Sequence, residues 1–220
     1  RTFTAEVEQH IRDKLRLKYS PEQIAGAARI NGDKCVSHER IYQFIWKDKR
    51  EKGLLYLDLR NRGRRYKKRS VVHDNRGTIP NRTDISQRPP EVELRERFGD
   101  LEIDLIIGKD HKGAILTIND RATGIARLRK LDGKDAEQLA LVTIDCLEDW
   151  KPFLKTITSD NGKEFSCHQM VAGDLKIDFF FAKPYASWQR GSNENYNRLV
   201  RQYIPKKVDF NYVTHEYVNY

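Results

Sequence analysis

Three acidic residues stand in surroundings that suit chemistry. Asp104 falls inside the apolar run Leu101-Glu102-Ile103-Asp104-Leu105-Ile106-Ile107, where an ionised carboxylate is costly unless it is paired or bound to a metal. Asp160 follows another apolar stretch, in Ser159-Asp160-Asn161-Gly162, and Glu194 lies among Asn193, Asn195 and Asn197. Brought to one edge of a sheet, these would be three hard oxygen donors with no soft ligand nearby, a set that suits magnesium or manganese. The surrounding segment is rich in acids, so spacing alone does not choose among them. Glu102, on the same strand face as Asp104, and Asp120 compete for the role, and Asp160-Asn161-Gly162 also reads as a plain turn.

The elements that would carry these acids have recognisable patterns. Leu101–Gly108, Gly113–Asp120 and Gly124–Leu131 read as three β-strands joined by short glycine-containing turns, hence antiparallel hairpins. Asp135–Trp150 reads as a helix with Leu139, Val142, Cys146 and Leu147 on one face. Phe153–Ser159 is a fourth strand, Lys163–Ala172 a helix, Lys176–Phe181 a fifth strand and Trp188–Arg201 a final helix. The order βββαβαβα predicts a mixed sheet flanked by helices, the topology of the ribonuclease-H-like fold. Asp104 would then lie on the first strand, Asp160 after the fourth and Glu194 on the last helix.

Upstream, Val7, Ile11 and Leu15 form a helical stripe. Ser20-Pro21-Glu22-Gln23 is a capping box that opens a second helix, which Asn31-Gly32 closes. Ser37 caps a third helix, with Ile41, Phe44 and Ile45 inward and His38, Arg40, Gln43 and Lys47 outward. Three short helices, the last lined with hydrogen-bonding side chains, resemble a helix-turn-helix DNA-binding unit, although the turn from Ile30 to Val36 is longer than the strict motif.

Between the two parts lies most of the positive charge. The 220 residues hold 41 Lys and Arg against 32 Asp and Glu, a net charge of +9. Residues 60–82 alone contain Arg60, Arg62, Arg64, Arg65, Lys67, Lys68, Arg69, Arg76 and Arg82 against Asp74, a local balance of +8, while residues 1–59 carry +3 and residues 83–220 carry −2. Together with Gly63, Gly77, Pro80 and Pro89-Pro90, this describes an extended basic arm able to track a phosphate backbone. The expected organisation is therefore residues 1–59 as a DNA-binding helical domain, 60–90 as a basic linker and 91–220 as a catalytic domain.

Other classes are set aside by composition. The chain has no apolar run near the ~20 residues of a membrane span and no signal-peptide core, so a cytoplasmic, nucleoid-associated protein without a membrane partner is expected. Cys35, Cys146 and Cys167 show no CxxC spacing, which argues against a disulfide framework and a zinc knuckle. The start at Arg1 and the end at Tyr220 suggest a fragment, truncated at its C-terminus.

The motifs IDLIIGKDHKGAILTINDR, TSDNGKEF and YASWQRGSNENYNRLVRQYIPK resemble those of bacterial insertion-sequence transposases of the IS-thirty family, with 33 residues between Asp160 and Glu194 as in that family. The stretches YSPEQIAG and VSHERIYQFI are similar to its upstream DNA-binding region, while Leu101-Glu102-Ile103-Asp104 replaces the family's Trp-Glu-Gly-Asp. The resemblance implies a DDE transposase of ribonuclease-H-like fold, with Asp104, Asp160 and Glu194 holding two magnesium or manganese ions for cleavage and strand transfer. It also implies double-stranded DNA as partner, namely transposon terminal inverted repeats and target DNA, and a homodimer or higher oligomer when two ends are paired. Arg198 and Arg201, four and seven residues after Glu194, would face DNA, with Arg201 on a phosphate; a Glu194–Arg198 ion pair on a solvated helix is the plain alternative. Trp188 is expected in the core rather than stacked on a base, and Tyr185 shares that choice. A non-enzymatic DNA-binding regulator, or a nuclease that cuts without joining, are the rival functions.

Overall fold

The computed structural model describes residues 3–60, 62, 79–133, 135–184, 186–206 and 208–219. Of the expected basic arm, Arg64, Arg65, Lys67, Lys68, Arg69 and Arg76 lie outside these residues, as does Tyr185. The chain divides into two compact units, Arg1–Val71 and Val72–Tyr220.

The first unit is built on helices α1 (Ala5–Arg16), α2 (Pro21–Asn31) and α3 (His38–Arg50). Each begins where a hydroxyl can satisfy a free backbone N–H: Thr4 accepts from Val7, Ser20 from Gln23 and Ser37 from Arg40. The Gln23 side chain accepts in turn from the Ser20 N–H, completing the expected capping box. Gly32 ends α2 at φ 75°, the left-handed geometry that glycine adopts without steric cost. Val7, Ile11, Leu15, Ile24, Ala28, Cys35, Val36, Ile41 and Ile45 form one buried core. Burying each larger aliphatic side chain contributes roughly 1.5–3 kcal/mol, which offsets the ordering of such short helices.

The second unit is a six-stranded sheet. Its strands are β1 (Thr83–Asp84), β2 (Asp100–Ile107), β3 (Ala114–Asp120), β4 (Ala126–Leu131), β5 (Thr156–Ser159) and β6 (Asp178–Phe181), in spatial order β1-β6-β5-β2-β3-β4. The β2-β3-β4 meander is antiparallel, whereas β5, β6 and β1 extend the other edge in parallel. Without β1, this is the strand order of the ribonuclease-H-like topology expected from the sequence. Alternation divides the two faces: Leu101, Ile103, Leu105, Leu116 and Ile118 enter one core with helices α5 (Ala136–Leu147) and α6 (His168–Leu175). Glu102, Asp104, Ile106, Ile115, Thr117 and Asn119 occupy the intervening positions, on the face that α7 (Gly191–Tyr203) covers. A slip of one residue would drive Glu102 and Asp104 into the apolar core, so this pattern fixes the register.

Several boundaries depart from the sequence pattern. Residues 79–90, assigned by charge to the linker, are packed into the second unit: Ile79 and Ile85 are buried, Thr83 and Asp84 pair with Phe180 and Phe181, and Arg88 is buried. The predicted helix over Asp135–Trp150 ends at Leu147, where a 3-10 segment containing Pro152 takes over. Two short helices, α4 (Glu91–Leu94) and α8 (His215–Asn219), have no distinct signal in the sequence. The three cysteines are free. Among the described residues, no helix is long and apolar enough to cross a membrane.

Candidate active site

The β2–β5 register assembles the site. Asp100 pairs with Thr156, Leu101 with Ile157 and Glu102 with Thr158. Continued by two residues, the same offset sets Asp104 opposite Asp160, just past the paired rungs of the two parallel strands and at the carboxyl end of β5. Gly99 permits β2 to start there: its φ is 105°, and a Cβ would stand 2.0 Å from the Phe153 carbonyl oxygen.

The two carboxylates meet through Arg190, the residue before α7. Its Nη1 lies 3.3 Å from Asp104 Oδ2, its Nη2 lies 3.8 Å from Asp160 Oδ2, and Nη1 donates to the Ile103 carbonyl at 3.1 Å. Asp104 Oδ1 accepts from the Leu105 N–H at 2.8 Å, and Oδ2 accepts from Asn197 Nδ2 at 3.1 Å. Asp160 Oδ1 accepts from the Gly162 N–H at 2.8 Å, so the expected turn and the candidate acid are the same residue. Asn161, next in that turn, is tied to Arg82 and to the Ala182 carbonyl. Burial pushes the Asp104 carboxyl up to about 6; Arg190 opposes the rise and Asp160 adds to it.

Helix α7 lies over the pair through a polar layer. Thr117, opposite Asp104 on β3, has its hydroxyl 2.9 Å from Asn197 Oδ1 and 3.1 Å from Asn193 Oδ1. Glu194 projects from the same helix but holds Arg198 at 2.9 Å, the ion pair that the sequence allowed as the plain alternative. Among the described residues, no three His, Cys, Asp or Glu side chains come together as a set for one ion. The donor chemistry of Asp104 and Asp160, all oxygen, fits magnesium or manganese, and Arg190 already sets one positive charge beside both.

The competing acids have structural partners. Glu102 is fully buried, paired with Arg121 and accepting from the Asn193 N–H at 2.8 Å. Asp120 accepts from the N–H groups of Gly99, Ala122 and Thr123 and from the Thr123 hydroxyl, pinning the β3–β4 turn to the start of β2. Arg201 is partly buried, donating to the Ile107 carbonyl at 2.8 Å beside the Phe210 ring, while Arg198 is largely exposed. Trp188 is 75 % exposed, contrary to the expected core position, because a 3-10 turn over Ser187–Arg190 replaces the predicted start of the helix. In the first unit His38, Arg40, Gln43 and Lys47 are all placed on α3 away from its buried stripe, Arg40 donating to Gln43 at 3.0 Å. Arg62, the one described member of the arm's central run, has its N–H on the Leu59 carbonyl.

Arg190, Thr117 and Arg121 join the site without having been singled out by their sequence context. The need of Asp104 for a partner is legible from its apolar strand, yet nothing in the spacing identifies Arg190 as that partner.

No family model matches the chain. The transposase for insertion sequence element IS4351 of Bacteroides fragilis is 54 % identical over 218 residues, 99 % of this chain and 67 % of that protein. The transposase for IS1086 of Cupriavidus metallidurans is 33 % identical over 213 residues, 94 % of this chain and 63 % of that protein. The transposase InsI for IS30A of Escherichia coli K12 is 33 % identical over 217 residues, 93 % of this chain and 56 % of that protein. The chain thus spans 56–67 % of the length of these relatives. Among solved structures, the catalytic core domain of BIV integrase gives a TM-score of 0.39 at 19 % identity, over 50 % of this chain and 75 % of that one.

Proposed function

This chain belongs to the insertion-sequence transposases, the family that includes the IS30 elements, and we propose that it carries the DNA-binding and catalytic parts of a DDE transposase. The reaction is metal-dependent cleavage at the terminal inverted repeats, followed by joining of the freed 3′ ends to target DNA. The observation that carries this reading is the β2–β5 register, which sets Asp104 against Asp160 with a cation between them. Asp104, Asp160 and Glu194 would hold two magnesium or manganese ions, which would activate the attacking oxygen and stabilise the leaving one.

The residues of the chain supply position. Asn197 and the Leu105 N–H orient the two oxygens of Asp104, and the Gly162 N–H orients Asp160. Glu194 belongs with them through helical spacing, since residues three apart share a face and Asn197 is already at Asp104. Double-stranded DNA is gathered by α3 through His38, Arg40, Gln43 and Lys47, by the arm through Arg62, Arg64, Arg65, Lys67, Lys68 and Arg69, and near the site by Arg198 and Arg201. Pairing two ends calls for a homodimer or a larger assembly. Residues 1–59 serve as the reading domain, and the second unit, with residues 79–90 packed into it, serves as the catalytic one.

Asp160→Asn and Glu194→Gln are expected to abolish magnesium-dependent cutting and joining of labelled end DNA while leaving end binding within about twofold. Normal joining by either variant would end the triad assignment. The Glu194–Arg198 pair favours one rival, a DNA-binding regulator with an inactive core. The same assay separates them, since a regulator binds the ends at every magnesium concentration without cutting them.

A further inference from the structure

We propose that Arg190 is the positioning residue of the carboxylate pair, a built-in counter-cation that holds Asp104 and Asp160 together and that a divalent ion must displace. The inference rests on the reading of those two residues as metal-holding. A guanidinium keeps its charge at every accessible pH, so the compensation it supplies is permanent until another cation replaces it.

Three observations distinguish Arg190 from an ordinary structural arginine. Its side chain is only 10 % exposed, yet it faces two carboxylates at once. Its contacts with them, 3.3 and 3.8 Å, are longer than the 2.7–2.9 Å typical of a charge-assisted hydrogen bond, so the attraction is mainly Coulombic. Its Nε is buried without a hydrogen-bond partner among the described residues, leaving the guanidinium incompletely bonded where it lies. The firmest bond is the one from Nη1 to the Ile103 carbonyl, just past the end of the β2–β5 pairing. That bond anchors the side chain, while the two carboxylates are held by charge.

An ion held by Asp104 and Asp160 would compete with the guanidinium for the same two carboxylates. Affinity for the ion is therefore set below what the bare carboxylates would provide. Arg190 also directly precedes α7, four residues before Glu194, so the side chain that yields and the helix bearing the third acid are one covalent unit.

The test is a Mn²⁺ titration of the full chain at pH 7.5, followed by calorimetry, with Arg190→Gln, Arg190→Lys and Asp160→Asn alongside the parent. Removing a unit positive charge beside the site should make Arg190→Gln bind Mn²⁺ at least ~10-fold more tightly, although it melts at a lower temperature without metal. Arg190→Lys should return the affinity toward that of the parent. A merely structural arginine predicts the opposite, because its loss would loosen the site and weaken binding. Unchanged or weaker binding by Arg190→Gln, with Asp160→Asn still weakening the parent, overturns the role of Arg190 alone. Parent binding that is indifferent to Asp160→Asn overturns the metal reading and this inference with it. If Arg190→Gln fails to fold, the Arg190 Nε–H resonance of the parent decides: it should shift on Mg²⁺ saturation and stay fixed in Asp160→Asn, and a resonance indifferent to Mg²⁺ in the parent overturns the proposal.

Discussion

At Asp104, burial and charge act in opposite directions, and burial prevails. The carboxyl is pushed up to about 6 from its ordinary 3.8 by desolvation, against the pull of Arg190 and with the push of Asp160. A carboxyl whose value is raised on folding binds its proton more tightly in the folded chain than in the unfolded one. Between those two values the folded state holds more protons, so stability falls as pH rises through the window and levels off above it. Asp104→Asn mimics the protonated form and removes this penalty. Without divalent metal, urea unfolding at pH 7 should show the variant more stable by roughly 1–3 kcal/mol, because each tenfold gain in proton affinity on folding corresponds to about 1.4 kcal/mol. At about pH 4 the difference should shrink toward zero. A variant less stable than the parent at pH 7 would mean that the Arg190 contact outweighs desolvation. The site trades stability for a carboxylate that awaits a cation.

Between elements, the informative object is the chain of charges Arg88–Glu93–Arg121–Glu102, ending on the Asn193 N–H. It ties α4 to β2 and β2 to the first turn of α7, and it holds the helix that carries Glu194, Asn197 and Arg198 over the sheet. Arg121→Met should cost about 3–5 kcal/mol in chemical unfolding, because it leaves Glu102 buried and uncompensated. The double variant Arg121→Met with Glu102→Leu should recover a large part of that loss. An additive double variant would show that the two side chains do not depend on each other. The strands around this network were legible because the alternation of Leu101, Ile103 and Leu105 with Glu102, Asp104 and Ile106 admits one register. β1 and α4 were not legible: two and four residues carry too little periodicity, and both stand on tertiary partners, β6 for the first and the Arg88–Glu93 pair for the second. Asp104 and Asp160 could be read as candidates from their contexts. Arg190 could not, because what makes it matter is the end of a strand pairing 87 residues away.

At the scale of the molecule, charge and carboxylates are segregated along the chain. The proposed catalytic segment from residue 83 onward is slightly acidic, at −2, whereas residues 60–82 carry +8. Arg190 offsets one of the two charges of the Asp104–Asp160 pair, so an approaching phosphate still meets repulsion until divalent ions are in place, and affinity for DNA has to come from elsewhere in the chain. That division predicts separable effects. Replacing Arg62, Arg64, Arg65, Lys67 and Lys68 with Gln should weaken binding of specific and unrelated duplexes alike, since phosphate contacts carry no sequence information. If all five engage phosphates, the slope of log affinity against log salt should become shallower by about 4.5, because each contact releases about 0.9 of a counterion. Replacing Gln43 on α3 with Ala should act differently, reducing the preference for the terminal repeats by about 1–3 kcal/mol with little change in the slope. Both are measured by fluorescence anisotropy across a salt series with end and scrambled duplexes. A slope unaltered by the five substitutions would remove these residues from the phosphate contacts, leaving Arg69 with α3 and α7 to account for the electrostatic attraction.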